Sequence, residues 1–127
     1  MNHARNAGVQ ALAIRSIEGT PTTGDFLIKP MLKGEHMSLL EVHLQRGVSS
    51  AMHVHAHESL LYVVKGRLRT TVGDEVIVLG PGDVGCHPAH VAHSVEALEE
   101  AVFVEVKSPA PDIGSVLRQD PLTRQEG

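Results

Sequence analysis

From Phe26 to Val106 the chain is a succession of short β-prone runs broken at nearly regular intervals by glycine: FLIKPML, MSLLEVHL, SLLYVV, RLRTTV, EVIVL, DVGC and AVFVEV. Strands this short cannot bury a core alone, and so many in sequence pack as a sandwich or a barrel. The turns agree with that reading. Gly73-Asp74 forms a two-residue loop between RLRTTV and EVIVL, a composition that supplies the positive φ of a tight hairpin turn. Lys65-Gly66 and Gly80-Pro81-Gly82-Asp83 mark the neighbouring reversals. Nothing between 26 and 107 has a helical period, and no internal repeat divides the chain. An all-β domain is therefore expected over 26–108, in a chain of 127 residues that is long enough for one core and too short for two.

Outside that span the signals are weaker. Residues 1–25 read as an N-terminal segment with one strand at Leu12–Ile17, preceded by a poorly ordered start and followed by a turn at TPTTGD (20–25). Residues 109–127 read as a tail, loose or with a short helix over Ile113–Arg118. The net charge of −4 and the absence of a basic block argue against nucleic acid as a partner. No apolar run spans a bilayer, no secretory leader is evident, and Cys86 has no second cysteine to pair with, so a soluble cytoplasmic protein is expected.

The chemistry lies in the histidines, which are densest in HVHAH at 53–57. Residues two apart on a strand point to one face, so His53 and His55 present adjacent imidazoles. Neutral imidazole is a ligand for zinc, copper, iron and nickel. On a flat strand three alternate residues span roughly 13 Å at about 3.3 Å per residue, which keeps His57 from sharing one ion unless the strand bends. The third ligand expected is His93, after PAHVAH at the start of another strand. A solvated polar face is the competing reading of HxH taken alone.

The wider pattern resembles the cupin superfamily. Gly47, then VSSAM, then His53-Val54-His55, then Gly66 match its first motif, and Gly82-Asp83 leading to Pro88, His90 and His93 match its second. The resemblance covers roughly residues 26 to 108. It implies a single jelly-roll barrel and one divalent metal ion (Fe, Mn, Ni, Cu or Zn) on His53, His55 and His93. The family's glutamate position falls on Ser59, and the glycine of its second motif is replaced by His90. The resulting all-neutral ligand set would favour an anionic chelating substrate and leave positions open for water or dioxygen. His57, Ser59 and His87 are the candidates for a further ligand or for the pocket wall. Glu58 should face the opposite side, and His90 is expected at an exposed turn.

Arg67 and Arg69 share one face and read as solvated, Tyr62 as an outer-face residue and Cys86 as a small buried one. The resemblance implies a metal-dependent enzyme acting on a small oxygenated metabolite, sugar-acid-like or keto-acid-like, by isomerisation or oxygenation. The alternative is a non-catalytic sensor barrel that binds a metal or small ligand. A homodimer is expected, to cover the apolar N-terminal strand with Leu12 and Ile14.

Overall fold

The computed structural model describes residues 2–111 and the short strand at 124–125. The strands are β1 (Leu12–Ile17), β2 (Thr20–Lys33), β3 (Ser38–Leu44), β4 (Glu58–Lys65), β5 (Leu68–Val72), β6 (Glu75–Leu79), β7 (Val84–His87), β8 (His93–Ala97), β9 (Ala101–Ser108) and β10 (Arg124–Gln125). They form two antiparallel sheets, one of seven strands in the order β10-β1-β2-β3-β9-β4-β7 and one of three in the order β6-β5-β8. Such a double-sheet arrangement is the jelly-roll barrel that the sequence resemblance implies.

The hairpin turns are where the glycines put them. Gly73 has φ 59° in the two-residue loop joining Val72 to Glu75. Gly66 has φ 76°, and a Cβ there would lie 2.1 Å from the Glu100 carbonyl oxygen, so only glycine fits this crossing.

Between the sheets, the segment from Gly47 to His53 closes one side of the barrel. Ser49 exchanges backbone hydrogen bonds with Thr23 at the start of β2, while Gly47, Val48, Ser50 and His53 bond to Ala97, Val95 and His93 of β8. Inward-facing side chains of both sheets then fill the interior. Leu40, Val42 and Leu44 of β3, Leu61 and Val63 of β4, Leu68 of β5 and Phe103 of β9 are all at most 2% exposed. Each contributes roughly 1.5–3 kcal/mol by leaving water. The core occupies one end of the barrel, and polar side chains take its place at the other.

Four expectations need correcting. Residues 20–25 are not a turn but the start of β2. The reversal sits at Glu18-Gly19, both with positive φ (51° and 77°), and Ile17 pairs with Thr20 across it. Residues 6–8 form a 3-10 turn rather than a disordered start, with Asn6 bonding Glu41 at 2.8 Å and receiving Lys29 Nζ on its carbonyl at 2.9 Å. The N-terminal strand is not an open apolar edge, because Ile14 packs in the core at 5% exposure and β10 pairs along β1. Cys86 is exposed rather than buried, since it lies on the outer face of β7. Tyr62 faces outward, and Arg67 and Arg69 form exposed ion pairs with Glu99 and Glu96. The helix considered over Ile113–Arg118 lies outside the described residues.

Candidate metal centre

The backbone brings the first two histidines together. His53 and His93 exchange N–H···O bonds of 2.9 Å in both directions, an isolated antiparallel bridge that places their side chains on one face. Their ring centroids are 4.3 Å apart. His55 follows two residues later, its carbonyl accepting from the His90 amide at 2.8 Å, and its ring lies 4.7 Å from that of His53 and 5.2 Å from that of His93. The three offer ring nitrogens that all lie within 4.8 Å of one another.

Their outer hydrogen bonds decide which nitrogen is free. His53 Nδ1 contacts the Ala51 carbonyl at 2.8 Å and His93 Nδ1 the Val91 carbonyl at 3.2 Å. A carbonyl only accepts, so in both rings Nδ1 carries the proton and Nε2 keeps its lone pair. His55 Nδ1 donates to a Glu18 carboxylate oxygen at 2.7 Å. All three rings are thus oriented as metal-ligating imidazoles are, the far nitrogen tied and the near one free. Burial lowers the pKa of each: His53 and His93 fall below their ordinary value, and His55 is pushed down to about 2 by burial and then by the charge of Lys107. The residues therefore fit a divalent cation, which needs neutral imidazoles.

The HVHAH segment is not a regular strand. It runs as a single bridge followed by a bend at Ala56-His57, and that bend folds the His57 ring over His55 at 4.5 Å. His57 reaches the cavity by this route, with Nε2 lying 3.3 Å from the Lys107 ammonium and its pKa lowered to about 4, mainly by burial. His87 also lines the cavity, stacked on His93 at 4.2 Å. Its Nε2 lies 2.7 Å from Thr70 Oγ1, whose own proton goes to the Ser94 carbonyl, so that nitrogen is engaged as a donor. Burial lowers the His87 pKa to about 4 as well. Ser59 is 2% exposed and accepts a hydrogen bond from Lys107 Nζ at 3.1 Å. Glu58 and His90 are exposed, His90 in a left-handed conformation with φ 65°.

Three residues of the site escape a reading of the sequence. Glu18 lies 37 positions before the histidine it orients, and nothing local in the sequence signals that pairing. Glu105 and Lys107 sit on the inward face of β9 after Ala101 and Phe103, and form a largely buried ion pair of 2.9 Å, their side chains 14% and 10% exposed. Burial pushes the Glu105 carboxyl up, but the Lys107 ammonium outweighs it and holds the group below the ordinary value. The strict alternation Ala101, Phe103, Glu105, Lys107 on one parity was the available signal. Histidines, Glu105 and Lys107 together line a cavity of about 430 Å³, a size suited to a small metabolite.

Comparison with known proteins agrees with this architecture. The model of the cupin domain family matches residues 40–107. An uncharacterized protein of Streptomyces coelicolor is 28% identical over 104 residues, covering 82% of this chain and 99% of its own. Among solved structures, an RmlC-like cupin from Shewanella frigidimarina superposes with TM-score 0.74 at 19% identity, over 90% of this chain and 96% of that one. KdgF from a Halomonas species gives 0.74 at 24%, over 90% and 98%. A predicted oxalate decarboxylase from Thermotoga maritima gives 0.73 at 18%, over 84% and 97%.

Proposed function

The chain belongs to the cupin family, and on that premise we propose that it is a metal-dependent enzyme acting on a small oxygenated acid, sugar-acid-like or keto-acid-like, by isomerisation or oxygenation. The observation that carries the reading is the set of three neutral imidazoles, His53, His55 and His93, each tied at Nδ1 and converging on one cavity. A divalent ion held there (iron, manganese, nickel, copper or zinc) would supply Lewis acidity towards a bound oxygen, and iron would add oxygen chemistry.

The chain's own residues do the rest. Glu18 and the carbonyls of Ala51 and Val91 orient the imidazoles. Glu105 presents an ionised carboxylate and His57 a neutral imidazole on the cavity wall, the two groups placed to take or return a proton. The apolar inner face, with Phe26, Leu40 and Val42, borders the cavity and excludes water from one side of it.

Elemental analysis of the purified protein beside His53→Ala/His93→Ala tests the reading. About one equivalent of metal in the wild type and none in the variant is expected, after which turnover assays separate an enzyme from a sensor barrel. No metal in either protein, and none taken up on reloading, would overturn it. The same reading includes a cytoplasmic homodimer, for which the outer sheet face with Leu60, Tyr62, Val64 and Val84, each at least half exposed, gives a better reason than the N-terminal strand. A monomer by light scattering would count against that part.

A further inference from the structure

Lys107 places a buried positive charge in the cavity that the metal reading does not use. Its residue is 8% exposed, and its ammonium meets Glu105 Oε2 at 2.9 Å, Ser59 Oγ at 3.1 Å and His57 Nε2 at 3.3 Å. Only the first partner is charged, while the other two are neutral and more distant. A buried ion pair of this kind adds little net stability over an apolar pair of similar volume, because desolvating both charges offsets their attraction.

Its position is more informative. In the register of β4 against β9, Lys107 lies directly across from Ser59, the place where the family motif has its glutamate. Where a carboxylate ligand would stand, the cavity instead holds a hydroxyl bonded to a cation. Charge counting points the same way. With a divalent ion at the triad, Lys107 adds one positive charge against the two carboxylates Glu18 and Glu105. The cavity then keeps a single net positive charge among imidazoles that are all neutral.

We propose that Lys107 is the binding residue for the carboxylate of a small monocarboxylic acid whose neighbouring hydroxyl or oxo oxygen faces the three histidines. The ammonium exchanges its two neutral partners, Ser59 and His57, for the carboxylate, a charge-assisted bond of about twice the strength, while Glu105 keeps it in place. This deepens the function proposed above and rests on it for the second oxygen, but the carboxylate contact belongs to Lys107 alone.

The test compares glycolate with its neutral isostere glycolamide by titration calorimetry, on zinc-loaded and on metal-free protein. Wild type is expected to prefer glycolate by about tenfold or more, roughly what one well-placed charged contact provides. Glu105→Gln frees the ammonium and should increase that preference. In metal-free protein, Glu105→Gln/Lys107→Met removes both charges without leaving either buried alone, and should bring the ratio of the two affinities close to one. An unchanged ratio in the folded double variant would overturn the proposal. A measurement on wild type guards against misfolding of that variant: with 13C-labelled lysine, glycolate should move one buried lysine Cε resonance, and glycolamide should not. No such movement also overturns it. If wild type takes up no zinc but still prefers glycolate, the metal reading falls and the assignment of Lys107 stands.

Discussion

The two polar walls of the cavity are built on opposite principles. On one, His53, His55 and His93 are neutral, and two of the three are fixed by carbonyls only two residues away, at Ala51 and Val91. On the other, Glu105 and Lys107 are charged and are positioned by the register of β9 between β3 and β4. The first wall is suited to receive a cation, two of its rings held by carbonyls of their own segments and the third by Glu18. The second depends on the assembled sheet, and carries an ion pair of no net charge from which one member can turn to a ligand.

Breaking the charged wall should have the largest effect on stability. Glu105→Leu leaves the Lys107 ammonium uncompensated, and a loss of about 3–5 kcal/mol is expected in urea denaturation, most of it recovered in Glu105→Leu/Lys107→Leu. Acid should act mainly on the buried imidazoles, His87 beside the neutral wall among them. Because the folded-state pKa of His87 lies at about 4, below its unfolded value near 6.5, the unfolded chain binds the extra proton between those two pH values. Stability of the metal-free protein should therefore be full above about pH 6.5 and fall as pH drops to about 4, by an amount of order 3 kcal/mol for this group. Glu105, whose pKa is also lowered, adds to the loss below the ordinary carboxylate range. A urea midpoint that stays constant over this window would contradict the burial of these imidazoles.

Smaller effects sharpen the contrast. Glu18→Ala frees His55 Nδ1 and should weaken metal binding about 10–100-fold, the size usual for losing such an outer partner, with little change in the fold. Arg69→Ala, which removes an exposed ion pair with Glu96, should change stability by less than about 1 kcal/mol. If Arg69→Ala proved as damaging as Glu105→Leu, burial would not be what separates the two ion pairs.

The first wall was legible in the sequence and the second was not, for a physical reason. HxH spacing is a local signal that pairs His53 with His55, and the resemblance to the cupin motifs adds His93 to them. The bend at Ala56-His57 is not signalled by the sequence, which admits His57 to the cavity only on condition that the strand bends. On β9 the valines at 102, 104 and 106 look like the buried parity, yet they lie on the outer face, next to exposed Leu60 and Tyr62. An apolar outer surface removed the contrast that normally tells inside from outside, and Glu105 and Lys107 were hidden by it. TPTTGD has turn composition, but the pairing of Thr23 with Ser49 draws it into β2, where Gly24 passes so near Val48 that a Cβ would lie 2.6 Å from its Cγ2.

The bridge between His53 and His93 also sets an order in time. A growing chain that has emerged only as far as HVHAH offers His53 and His55 but not His93, and Glu18 has no fixed ring to orient. The set is completed only when β8 has been synthesised and closes against the segment at 47–53, a contact between distant parts of the sequence and therefore a slow one to form. An ion captured at that step would bind the finished barrel and not its precursor, so loading would act as a latch on the last closure and draw the folding equilibrium forward behind it.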